Sequence, residues 1–374
     1  MNDIRRTILW VIFGFSMVLL WDKWQLHNGN KATFFPSPAA VGAAAPAAGA
    51  SAPLAGAASV PASTAPAVAS IGASAVPGTP APAAPAAREK IEVTTDVYRL
   101  TFDGEGGSLT HAELLKHADM TDKAKNFVLF DESTQRVYVA QTGLIGGSFP
   151  THKTVMTAVP GPRALKDGEN ELTIRFESPE QGGVKLVKTW TLKRGAYDIA
   201  VKHEVVNVGS TAVSPQLYLQ LVRDGNKPPG ESSFYSTFTG PAVYTEAKKY
   251  QKIEFKDIEN GKVDIPKESP NGYVAMVQHY FASAWLLADG VQRELFTRKV
   301  SDNLYSVGMI TPLGNIDPGT TKVVDARLFA GPQVETMMEK LYPGLELVKD
   351  YGWLTILSKP LYWLLDQLHK LLGN

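Results

Sequence analysis

VKLVKTWTLKRGAYDIAVKHEVV, residues 184–206, decides the fold. Within Val184–Leu192, Leu186, Trp190 and Leu192 alternate with Val187, Thr189 and Thr191. That period of two puts one set on each face of a β-strand. Lys193-Arg194-Gly195-Ala196-Tyr197 then reads as a tight turn, and Ile199–Val206 as the next strand. Asn207-Val208-Gly209-Ser210 turns the chain again into Val213–Val222.

The same pattern extends in both directions. Upstream, Tyr98, Leu100 and Phe102 alternate with Arg99 and Thr101, followed by a turn at Gly104–Gly107. Val137 and Val139 flank Tyr138, and Leu172, Ile174 and Phe176 alternate with Thr173 and Arg175. Downstream, strands are predicted over Lys252–Ile258, Tyr273–Gln278, Ser283–Leu287, Leu304–Ile310 and Val323–Phe329. Many short strands separated by turn clusters imply a mainly β protein, a sandwich or a barrel, and the long strand Pro215–Arg223 with its neighbours points to two broad antiparallel sheets packed face to face. Helix is scarce before Gly331. Residues 332–341 are predicted as one helix whose stripe of Val334, Met337, Met338 and Leu341 packs on the sandwich.

Composition narrows the function. The 374 residues carry 37 basic and 37 acidic side chains, and no basic stripe points to nucleic acid. Cysteine is absent, which excludes disulfides, thiol nucleophiles and thiolate metal sites. The seven histidines show no metal-ligand spacing. No metal and no cofactor are expected.

Both ends of the chain differ from its middle. Thr7–Trp21, TILWVIFGFSMVLLW, is uncharged, with Arg5 and Arg6 before it and Asp22 and Lys23 after it. Ile8, Leu9, Trp10, Phe13, Phe15, Leu19, Leu20 and Trp21 make it a transmembrane signal-anchor, taken as residues 1–27. A cleaved signal is the rival, but Asp22-Lys23-Trp24-Gln25 supplies no small-residue cleavage site. The positive-inside rule puts Arg5 and Arg6 in the cytoplasm and the rest across the membrane. Residues 28–88, rich in Ala and Pro, read as a disordered linker. Treated as a coil, its span is about 40–45 Å. The folded domain follows over residues 89–345.

Residues 346–374 end in DYGWLTILSKPLYWLLDQLHKLLGN. On a helix starting at Pro360, Leu361, Leu364, Leu365, Leu368 and Leu372 share one face. Trp353, Tyr362 and Trp363 are aromatics suited to the headgroup zone. The segment is too polar to span a bilayer and is expected to lie on one. The alternative is a core helix of the preceding domain.

No residue constellation carries a recognisable catalytic chemistry. Gly104-Glu105-Gly106-Gly107 lacks a phosphate-loop pattern, and its flanking Asp103 and Glu105 read as exposed turn carboxylates. His203 and Glu204 fall on opposite faces of one strand, so they form no dyad. His279-Tyr280 follows a strand and could line a cleft; Ser232-Ser233 has no evident base. Trp190 and Trp285 read as core residues, with sugar stacking the alternative.

With these residues in view, the chain resembles the N-terminal part of YidC-type membrane protein insertases of the YidC/Oxa/Alb family. The likeness rests on Arg5–Trp24, on Thr94-Thr95-Asp96-Val97 leading to Gly106-Gly107, and on Leu192–Tyr197. It continues through Gly272–Met276 with Gln278, Tyr280–Trp285, Gly331-Pro332, Asp350–Leu354, Lys359-Pro360-Leu361 and Gly373-Asn374. The order and spacing of these motifs together are specific.

The resemblance implies a large periplasmic β-supersandwich similar to galactose mutarotase, with the helix at Val334–Leu341 packed against it. It implies an interfacial helix over Leu361–Leu372 and a location in the bacterial inner membrane, N-terminus cytoplasmic and domain periplasmic. Membrane lipid, nascent inner-membrane proteins and Sec translocon components are the implied partners. The family protein inserts and folds membrane proteins, acts also as a chaperone, and is not an enzyme. Its substrate groove lies between later transmembrane helices. The chain stops at Asn374, where those would begin, so it is expected to be a fragment. The competing function is a membrane-tethered or secreted sugar-binding or aldose-epimerase-like sandwich. That would need a carboxylate and a histidine within reach of one substrate atom.

Overall fold

A computed structural model describes residues 88–228 and 238–349, all within one compact unit. The anchor and nearly all of the linker, Ser232-Ser233 and residues 350–374 lie outside the described residues.

The strands in chain order are β1 (Lys90–Thr94), β2 (Tyr98–Asp103), β3 (Ser108–Ala118), β4 (Asn126–Glu132), β5 (Val137–Ile145) and β6 (Thr157–Ala158). Then come β7 (Glu171–Glu177), β8 (Val184–Lys193), β9 (Asp198–Asn207), β10 (Gln216–Asp224), β11 (Gly240–Thr245) and β12 (Lys249–Lys252). The last six are β13 (Glu268–Ser269), β14 (Tyr273–Gln278), β15 (Phe281–Leu287), β16 (Arg293–Ser301), β17 (Leu304–Pro312) and β18 (Thr321–Pro332). A short helix α1 (Phe255–Glu259) precedes β13; α2 (Glu335–Leu341) and a 3-10 turn (Leu345–Val348) follow β18.

These strands form two nine-stranded antiparallel sheets. The first runs β1-β2-β3-β4-β5-β10-β17-β16-β13, the second β12-β11-β14-β15-β18-β9-β8-β7-β6. The hairpin read first in the sequence is β8–β9, with Trp190 opposite Val201 and Leu192 opposite Ile199. Its inward residues meet the first sheet. Trp190 lies 5.1 Å from Phe102 and 6.1 Å from Trp285, ring centre to ring centre. Burial of such aromatic faces is the main force holding the two layers together.

Directed polar bonds set the layers in register. The Trp285 indole N–H of the second sheet donates to Gln220 O of the first at 3.0 Å. In the other direction, the Tyr98 hydroxyl reaches Ala330 O at 2.5 Å and Tyr197 O at 3.0 Å. Tyr138 Oη meets Ser283 Oγ at 2.6 Å. Each hydroxyl is buried, so a missing partner would leave a desolvated polar group. Tyr98→Phe should therefore lower stability by about 1–3 kcal/mol. The urea midpoint should fall with an unchanged slope; an unchanged midpoint would show that this tie contributes nothing.

The outermost strands are short or partly covered. β6 and β13 have two residues each, β12 has four and carries Lys249 and Lys252, and the loop at Arg163–Leu165 hydrogen-bonds the end of β1 at Thr94.

Several sequence expectations change. Lys252–Ile258 is not a strand: the chain leaves β12 and turns into α1, because Phe255 and Ile258 are three apart and face the core together. The alternation of Ile253 and Phe255 imitates a strand there. The helix expected at 332–341 begins only at Glu335, since β18 runs on to pair Pro332 with Phe281. Of its stripe, Met338 is fully buried and Val334 is exposed. Asp103 is not an exposed turn carboxylate; it is buried and accepts the Glu105 N–H at 2.7 Å, closing the Gly104–Gly107 turn from inside. β1, β3, β4, β6, β11, β12, β13 and β16 are additional to the strands read in the sequence.

Candidate functional site

The most unusual chemistry sits between the sheets. Lys188 shares the inward face of β8 with Leu186 and Trp190 and is completely buried. Its ammonium donates to Gly106 O at 2.6 Å and Thr142 O at 2.7 Å. Burial pushes its pKa down to about 7. His203 Nε2 lies 3.0 Å from Thr142 Oγ1, and His152 Nδ1 lies 2.6 Å from the Tyr218 hydroxyl. Tyr218 Oη also accepts the His152 backbone N–H at 2.9 Å. Burial first, and then the Lys188 charge, hold both imidazoles down at about 3, neutral at physiological pH.

This cluster is not arranged for turnover. Neither His152 nor His203 is hydrogen-bonded to a carboxylate, and Lys188 is sealed from solvent. A lysine poised near neutrality is a candidate nucleophile only where a substrate can reach it. Here it ties β8 to the backbone of the first sheet.

The second site is a strap built by α2 and the 3-10 turn, lying on the outer face of the second sheet. Trp285 reaches inward, so its neighbour Leu286 and the paired Tyr273 face outward under the strap. Gln333 Nε2 donates to Gln278 O at 2.9 Å and Phe281 O at 3.1 Å, closing the β14–β15 turn. Met338, Leu345 and Val348 are buried. Tyr342 Oη accepts the Gly272 N–H at 2.8 Å and donates to the Asp289 carboxylate, while Tyr273 Oη donates to Gly344 O at 2.8 Å. Burial and the Asp289 contact push the Tyr342 hydroxyl up to about 12. Tyr244 stacks on Tyr273 at 5.3 Å, and Tyr342 meets Tyr273 edge-on at 5.9 Å.

Gly272 is the tightest point. Its φ is +97°, and a β-carbon there would fall 1.9 Å from Tyr244 O. The Gly272 carbonyl accepts from the buried Arg293 guanidinium at 2.7 Å, which also gathers Ala288 O at 2.6 Å and Pro270 O at 3.2 Å. The strap is therefore a rigid continuation of the sandwich.

Two open grooves lie outside the core. One, of about 790 Å³, runs beside the strap over β18, β9 and β8, between Leu341–Pro343 and a floor of Thr191, Ala200 and Arg327. Charges of both signs border it, Lys193 and Lys202 against Glu171 and Asp325. The other, of about 930 Å³, lies between Asn226, Phe255 and Tyr305. His279 lines neither; its ring rests against Tyr280 at 3.8 Å. Trp190 and Trp285 are buried against each other, with no face available to a sugar. His111 Nδ1 approaches Asp131 Oδ1 at 3.5 Å on neighbouring strands, and neither residue lines a groove. His203 and Glu204 do lie on opposite faces, Glu204 outward with Arg175 and Lys202.

The residues singled out from the sequence for membrane contact, in Ile8–Trp21 and Trp353–Leu372, lie outside the described residues. Among the described residues no helix is long and apolar enough to cross a membrane. Lys188 and Tyr342 were not singled out, and Gly272 entered only as the start of the Gly272–Met276 motif. The available signal for Lys188 was its place between Leu186 and Trp190 on the inward face.

The described body is an antiparallel sandwich with a buried core and a strap bolted to one sheet. The family model described as the YidC periplasmic domain matches residues 90–364, and the chain belongs to that family. A protein of Janthinobacterium sp. (strain Marseille) named membrane protein insertase YidC is 48% identical over 374 residues, 100% of this chain and 65% of that protein. One of the same name from Cupriavidus necator is 52% identical over 372 residues, again 65% of its length. The chain thus spans 65% of the length of these curated relatives. Among solved structures, a galactose mutarotase related enzyme from Lactobacillus acidophilus is similar with a TM-score of 0.41 at 8% identity, covering 65% of this chain and 97% of that one. A galactose mutarotase-like protein from Lactobacillus casei gives 0.39 at 11% identity, covering 65% and 100%.

Proposed function

We propose that this chain is the membrane-anchoring and periplasmic part of a membrane protein insertase. Residues 1–27 anchor it with the N-terminus in the cytoplasm, 28–88 tether it, 89–345 form the periplasmic body and 346–374 lead onto the bilayer surface of the bacterial inner membrane. It acts through contacts with lipid, with nascent inner-membrane proteins and with Sec translocon components, and makes or breaks no covalent bond.

The observation that carries this reading is the family match over residues 90–364. The strap is consistent with it. A segment fixed to the sheet by Tyr342, Tyr273 and Gln333 passes orientation from the body to whatever follows Lys349. The closed interior supports binding work over catalysis, since substrate has no route to Lys188, His152 or His203.

The test is fractionation of cells making the full chain, followed by cross-linking at the periplasmic face. The protein is expected in the inner membrane, resistant to carbonate extraction, and cross-linked to translating membrane proteins. Recovery of the intact chain in the soluble periplasm would overturn the anchoring. Aldose binding with anomer exchange would overturn the assignment as a non-enzyme.

A further inference from the structure

Two of the exposed large apolar side chains occupy one corner of the body. Tyr280, at the β14–β15 turn, is 57% exposed, and Val334, just before α2, is 40% exposed. They are held together, because the Gln333 N–H donates to Tyr280 O at 2.9 Å while the Gln333 side chain spans the same turn. Beneath them the support is stiff. Phe281 stacks on Phe127 at 3.9 Å and meets the His117 ring at 5.4 Å, and His117 Nε2 is 3.0 Å from the Tyr197 hydroxyl. An aromatic and an aliphatic residue are thus displayed on a fixed platform.

The chain leaves the described body at this same corner. α2 runs from Glu335 to Leu341, and the 3-10 turn packs back against it, with the Lys349 ammonium in the field of the Glu335 carboxylate. The next residues are Asp350-Tyr351-Gly352-Trp353. Four residues reach at most about 14 Å. That length tethers Trp353 within the same distance of Lys349.

We infer that Tyr280 and Val334 form a second contact with the bilayer interface, setting the body at a fixed tilt on the membrane when the segment after Lys349 lies on it. The inference rests on the membrane-surface reading of residues 350–374. Its occupant is the lipid headgroup zone. Tyrosine suits that zone because its ring is apolar and its hydroxyl stays wet. Two side chains bind lipid weakly on their own, but the covalent tail holds them at high effective concentration beside the surface. The two contact residues are uncharged, so the contact is not a polybasic one and is expected to survive raised salt.

The cysteine-free chain makes the test direct. Single variants Tyr280→Cys, Val334→Cys, Trp353→Cys and Val208→Cys of the full chain would carry an environment-sensitive fluorophore in liposomes of bacterial inner-membrane composition. A nitroxide on the lipid headgroup serves as quencher. Val208 is also exposed but lies just past the C-terminal end of β9, at the opposite end of the strands from the β14–β15 turn. Labels at 280, 334 and 353 are expected to be quenched and the label at 208 untouched, with little change in high salt. Quenching at 353 without quenching at 280 and 334 overturns this contact and leaves the proposed function standing. Absence of quenching at all four positions removes the membrane-surface reading itself. A blue shift at 280 without lipid quenching identifies a protein occupant, either residues 350–374 or a partner, and overturns the lipid assignment. Equal quenching at 208 and 280 shows a body with no preferred tilt, which overturns it as well.

Discussion

Gly272→Ala is expected to destabilise the domain by about 4 kcal/mol or more, combining left-handed backbone strain with a steric clash. The φ of +97° is open to glycine and uncomfortable for alanine, and the new methyl would lie 1.9 Å from Tyr244 O. That oxygen is backbone in β11 and has little room to withdraw, because β11 is paired on both sides. The Gly272 N–H also feeds Tyr342 and its carbonyl feeds Arg293, so a shift of the turn loosens both. Gly290→Ala is the matched control, with φ of +86° and nothing within 4 Å of the added carbon. It should lose only about 1 kcal/mol, from the backbone alone. Denaturant melts of the two variants decide the point. Equal losses would show that the close approach to Tyr244 is not felt. Hydrogen exchange should place the damage in the Gly272 variant at the strap before it reaches β8 and β9.

Stability should rise steeply with pH on the acid side. His152 and His203 take up protons near pH 6.5 when unfolded but only at about 3 when folded. Between those limits the unfolded chain binds more protons, and each imidazole removes up to about 1.4 kcal/mol per pH unit as pH falls. Lys188 acts in the same direction in a higher window. Its folded pKa is about 7 against an ordinary value of 10.5, so stability is reduced as pH drops from 10.5 to 7 and is level below that. Urea melts from pH 4 to 10 should show a rise across both windows. Lys188→Met should flatten the upper one and His203→Gln should reduce the slope of the lower one. An upper window unchanged in Lys188→Met would show that this ammonium does not titrate in the folded state.

How far the fold could be read depended on which faces of a strand were buried. β7, β8 and β9 alternate cleanly because their outer faces carry Arg175, Thr191 and Lys202 in or near water. β14 and β15 are buried on both sides, under the strap and over the core, so they read as apolar runs. β3 was opaque for a different reason. Its Ala112-Glu113-Leu114-Leu115-Lys116 favours helix locally, and pairing with β2 and β4 overrides that preference. β16 presents Glu294, Arg298 and Lys299 and resembles a polar loop until β17 pairs with it.

The site was less legible than the fold. Reading Leu186, Trp190 and Leu192 as one inward face already placed Lys188 among them. What stayed hidden was its pair of acceptors, since Gly106 O and Thr142 O come from distant parts of the chain. The strap depends in the same way on Tyr342 meeting Gly272, a contact 70 residues apart in sequence. Periodicity reports a residue's face and is silent about its partner.

The margins of the two sheets have a bearing on the company such a body would keep. A protein handling chains that are still unfolded meets many segments ready to pair their backbones with any open strand. Strands of two residues, a lysine-bearing rim and a loop laid across Thr94 shorten the ladder such segments could extend. A body so edged would be less apt to seed aggregation among half-made proteins or to be drawn into it.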